Sequence, residues 1–78
     1  MCLPTAFTLI NVEPGFELEV LKSLKGIEGV EEAYFVYGVY DIVVKITADS
    51  VDKLKKIVTL NIRRLDKVRS TITMVVMG

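Results

Sequence analysis

Four strand-like segments of this chain carry apolar side chains on both parities, and that pattern decides more about the fold than any single motif. Successive residues of a strand face opposite sides of a sheet, so each parity reports on one face. In the first segment, Thr5 to Glu13, Ala6, Ile10 and Val12 share one face and Phe7 and Leu9 the other. In Val30 to Tyr37, Tyr34 and Val36 oppose Phe35 and Tyr37; in Asp41 to Ala48, Ile42, Val44 and Ile46 oppose Val43. In Val68 to Met77, Ile72, Met74 and Val76 oppose Val75 and Met77. A sheet of these segments is apolar on both faces and needs two covers.

One cover is supplied between the strands. Residues 16–25 place Val20, Leu21 and Leu24 on one helical stripe, closed by Gly26 and Gly29. Val51, Leu54, Val58, Ile62 and Leu65 form a second stripe, with Asp49 or Ser50 positioned to cap it. The second and third strands are joined by a short turn, "GVYD" (Gly38, Val39, Tyr40, Asp41), and form an antiparallel hairpin. The order is βαββαβ: an α+β, ferredoxin-like sandwich with both helices on one face of a four-stranded antiparallel sheet. With 78 residues the chain is expected to be one domain, 1–78, near the lower limit for a self-sufficient core. Its 51% hydrophobic content exceeds what so small an interior can hide. The expected second cover is another copy, sheet against sheet. Leu18 and Leu60 lie off their helices' core stripes, with Phe16 at the margin of the first; they are either ordinary surface residues or contacts beyond the dimer.

Composition removes several function classes. The chain has no histidine and one cysteine, Cys2, which excludes His-based catalysis, Cys–His nucleophiles and any ordinary zinc site. Glu31 and Glu32 are expected on opposite faces of a strand, where they cannot act together, and Asp49 with Asp52 suits a helix start. No enzyme, cofactor or metal is expected. An unpaired cysteine, the lack of a signal-peptide pattern and the lack of a membrane-length apolar run fit a cytoplasmic protein. Net charge is zero, although residues 41–78 hold eight bases and four acids against two and six in residues 1–40. A solvated helix face accounts for that excess better than a nucleic-acid surface does. The third strand, "DIVVKITA", lacks the aromatics on which RNA-recognition modules of the same strand order stack bases.

What remains is "GVYD" and the "RSTIT" of the last strand. Gly38 permits a positive φ and a close backbone approach, Asp41 offers a carboxylate to an ammonium group, and Thr71 and Thr73 direct two hydroxyls from one face. Together they could grip a zwitterion. Ordinary turn chemistry, with threonines chosen for strand propensity, explains the same residues more economically.

The stretch V-x-E-A-Y-x-V-x-G-x-Y-D-I-x-V-K, here Val30 to Lys45, followed by the T-x-T strand, resembles the effector-binding domain of the Lrp/AsnC family, the RAM domain. The resemblance runs from the first strand to the last. It implies a sheet-to-sheet homodimer assembling into an octameric or decameric ring, with a small amino-acid effector between neighbouring dimers. It assigns Gly38, Val39, Tyr40 and Asp41 to the loop around the effector, and Thr71 and Thr73 to its completion from a neighbouring subunit. Ser70 and Arg69 transfer more weakly, because those positions vary in the family. Full-length members carry an N-terminal helix-turn-helix, whereas this chain resembles the stand-alone members. The expected role is therefore effector sensing, or association with a full-length regulator, in transcription or amino-acid metabolism rather than direct DNA binding. The competing readings are an assembly protein that keeps the fold without a ligand, and a nucleic-acid binder using the basic second half.

Overall fold

The computed structural model describes residues 3–77, so Cys2 lies outside the described residues. Strand β1 (Thr5–Val12) leads into helix α1 (Glu17–Lys25), then β2 (Val30–Phe35), β3 (Ile42–Thr47), helix α2 (Val51–Ile57) and β4 (Val68–Val75). The strands form one antiparallel sheet in the order β2-β3-β1-β4. The βαββαβ ferredoxin-like fold is therefore as the pattern predicts.

Register makes the two faces explicit. One row across the sheet is Ala33–Val44–Thr8–Thr73, and the next is Tyr34–Val43–Leu9–Ile72. The first row faces the helices, where Ala6, Ile10, Ile42, Val44, Ile46, Leu24, Leu54 and Ile62 are buried. Full burial of such a side chain contributes about 1.5–3 kcal/mol. Thr8, buried among them, is satisfied by the Thr73 hydroxyl at 3.2 Å. The second row has no cover: Tyr34 is 54% exposed, Ile72 47% and Met74, in the adjoining row, 48%.

Several expectations need correction. Val51 is exposed, because it opens the first turn of α2, and Ile57 is buried in its place. After Ile57 the helix widens into a π-helical turn, Val58–Ile62, in which the Arg63 N–H donates to the Val58 carbonyl at 2.9 Å. Leu65 is half-buried beyond the helix rather than on it. Ser50 is the α2 cap, accepting from the Lys53 N–H, while Asp49 lies 4.0 Å from the Lys53 ammonium. The hairpin connection spans Val36 to Asp41, longer than a tight turn, and is closed by the Val36 N–H on the Asp41 carbonyl at 2.9 Å.

Glu31 and Glu32 also depart from expectation. The β2–β3 register slips between Val30 and Glu32, and a bulge breaks strict alternation there. Both carboxylates consequently reach one ammonium, Lys45 Nζ, at 3.5 and 3.7 Å. Glu32 also accepts from the Tyr34 hydroxyl, a bond that holds the phenol above its ordinary pKa.

Candidate functional site

Asp41 is the residue on which the hairpin and the first strand converge. The β1–β3 ladder ends at Ile10 and Ile42, and Asp41 extends it by donating its N–H to the Ile10 carbonyl at 3.0 Å. Beyond that point Val12 has no ladder partner on the β3 side. The Asp41 side chain takes its place: the Val12 N–H donates to Asp41 Oδ2 at 3.0 Å. The second carboxylate oxygen, Oδ1, has no protein partner among the described residues. Asp41 is thus half anchor and half available acceptor.

The loop before it is open. Gly38 has φ +140° and nothing within 4 Å of where a Cβ would stand, so its backbone is approachable from solvent. Gly38 and Asp41 line a cavity of about 400 Å³ together with Glu17, Phe35, Val36 and Tyr37. Glu17 is fixed there by the α1 start, where its carboxylate accepts from the Gly15 N–H at 3.1 Å. Within the loop, Val39 is 84% exposed and Tyr40 is half-buried.

The last-strand residues fall elsewhere. Ser70 pairs with Asn11 in the register and shares a second cavity with Asp41. Thr71 lies half-buried opposite Ile10. Thr73, two residues on, lines an apolar groove of about 240 Å³ between β4 and the helices, with Leu54, Val58, Thr59 and Val75. One chain therefore brings Gly38, Asp41 and Ser70 around adjoining cavities and leaves Thr73 apart from them. Sequence reasoning missed Glu17 and Asn11, whose roles depend on where the chain returns after its turns; no local pattern carried that information. Among the described residues no three His, Cys, Asp or Glu side chains gather to hold a metal. No helix of the described residues is long and apolar enough to cross a membrane.

Comparison with known proteins decides what kind of domain this is. A family model for the Lrp/AsnC ligand binding domain matches residues 5–78. The chain belongs to that family. Among solved structures, this Lrp/AsnC domain is similar to FFRP-DM1, with 37% identity, 96% of this chain and 100% of that chain covered, and a TM-score of 0.92. It is also similar to AsnC of E. coli at 28% identity and TM-score 0.89, covering 96% of this chain and 51% of that one. The transcriptional regulator NMB0573 of Neisseria meningitidis, solved as an L-Met complex, shares the fold at 13% identity, with 96% and 50% covered and a TM-score of 0.85. A comparison with curated protein sequences finds no match.

Proposed function

We propose that this Lrp/AsnC domain binds a small amino acid as a homo-oligomer and, through partners, modulates transcription or amino-acid metabolism. The observation that carries the reading is Asp41, anchored through Oδ2 by the Val12 N–H while its other carboxylate oxygen remains open beside the Gly38 cavity. A fixed carboxylate next to an accessible backbone suits an ammonium group attached to a polar head. The L-Met complex of NMB0573 supports a small amino acid as the ligand class to test. The separation of Thr73 from Asp41 within one chain supports completion of the pocket from a neighbouring subunit. The exposed Tyr34–Val43–Leu9–Ile72 row supports a second copy against the open sheet face.

The test is a thermal-shift panel of the proteinogenic L-amino acids, since a ligand that binds only the folded state raises its melting temperature. The best ligand is then titrated into wild type and Asp41→Asn by calorimetry. Asp41→Asn keeps an acceptor for Val12 but loses the charge, and affinity should fall roughly ten- to a hundred-fold, as loss of a charge-assisted bond implies. Equal affinities would mean that Asp41 serves the hairpin alone. The Val12 bond also favours a second reading, a structural assembly domain in which Asp41 has no other task. A panel without any shift would leave that reading standing.

A further inference from the structure

Two irregularities of the sheet meet at one cavity. Between the pairs Asn11–Ser70 and Val12–Val68 the β1–β4 register slips by one residue, and the residue left without a partner is Arg69. A bulge residue is re-aimed away from regular alternation. Arg69 and Asp41, the second irregularity, line one cavity of about 520 Å³ with Asn11, Val12, Pro14 and Ser70.

The polar groups of this cavity are each half engaged. Asp41 Oδ2 is taken by Val12, and Oδ1 is open. Arg69 Nε lies 3.7 Å from Glu13 Oε1, while its terminal nitrogens have no partner among the described residues. Asn11 Nδ2 donates to Ser70 Oγ at 3.1 Å, which leaves the Asn11 carbonyl free to accept and the Ser70 hydroxyl free to donate. The remaining valences are two acceptors, on Asp41 and Asn11, and two donor groups, on Arg69 and Ser70. An ammonium group needs the first pair and a carboxylate the second, with the guanidinium offering a bidentate fork.

We infer that this cavity receives the charged end of an α-amino acid, with Arg69 as the partner of its carboxylate and Asp41 as the partner of its ammonium group. The inference rests on the amino-acid-binding reading above and adds to it a dedicated carboxylate anchor, which the hairpin loop does not provide with a side chain. Arg69 is a positioning and recognition residue here, delivered by the bulge.

The test compares the best amino acid of the panel with its carboxamide, in wild type, Arg69→Gln and Arg69→Lys, by calorimetric titration. Wild type should prefer the free acid by roughly ten- to a hundred-fold, the scale of a lost charge-assisted bond. In Arg69→Gln that preference should disappear, with binding of the carboxamide unchanged. Arg69→Lys, which keeps the charge and loses the fork, should fall between them and serves alone if the Gln variant does not fold. A preference for the acid that persists undiminished in both variants would overturn the inference, placing the carboxylate on the hairpin backbone and leaving the amino-acid reading intact. No binding of any panel member to wild type would remove both.

Discussion

A single glycine illustrates how unequal two similar residues can be. Gly29 has φ +97°, and a Cβ there would stand 2.7 Å from Ile57 Cδ1 and 3.1 Å from the Thr47 carbonyl oxygen. Gly38 also has a positive φ but open space around it. Gly29→Ala combines backbone strain of about 1–2 kcal/mol with a clash in the core, and should cost more than the strain alone. Gly38→Ala should cost only the strain. Urea denaturation of the two variants checks the order. Asp41 permits a similar contrast. Asp41→Ala leaves the Val12 N–H without its acceptor and should destabilise by about 1–3 kcal/mol, whereas Asp41→Asn retains an acceptor and should melt close to wild type. The place of Asp41 at the end of the turn that Gly38 opens was legible in the sequence. Its bond to Val12 was not, because that contact spans 29 positions and depends on where β3 ends.

Elements were read best where alternation or a stripe was regular. All four strands and the first helix stand where the pattern placed them, within two residues at their ends, whereas the second helical stripe was read through Leu65 and the helix, with its π-helical turn, stops at Ile62. The failures cluster at irregularities. The bulge that turns Glu31 and Glu32 toward one lysine has no marker in "VEEAYF", since a bulge adds a residue without changing composition. The π-helical turn begins after Ile57, where Ile57, Val58 and Thr59 place three β-branched residues in succession, the least α-favouring run in that helix. The outer helical faces carry a prediction of their own. Leu18 is 66% exposed on α1, and Leu60 is 52% exposed on the π-helical turn. If these leucines join dimers into rings, Leu18→Glu and Leu60→Glu should reduce the assembled mass in sedimentation to that of a dimer while leaving the melting of the fold unchanged. Variants that assemble like wild type would make both leucines ordinary surface residues.

For the whole molecule, the open sheet face is the dominant fact. Tyr34, Leu9, Val43, Ile72, Phe7 and Met74 form an apolar surface that the helices cannot reach. A second copy laid on it would bury roughly 1,200 Å² or more in total, the range of stable protein interfaces. Ile72→Glu should convert such a dimer to monomer, read by sedimentation at micromolar concentration; a wild type that is itself a folded monomer there would end the dimer reading. That one face of the sheet would lack a helical cover was legible from strand parity, but which parity forms it was not, because that depends on the side to which the helices return. The sheet also has two margins, and they are not alike. Along β2 the bulge and the paired glutamates interrupt the row of hydrogen-bonding groups, whereas β4 from Ser70 to Val75 carries no charged side chain. A strand from another molecule would find purchase beside β4 and be refused beside β2. Two chains joined at that one margin would show only blunted borders outward, so any lateral growth of the sheet is expected to stop at a pair.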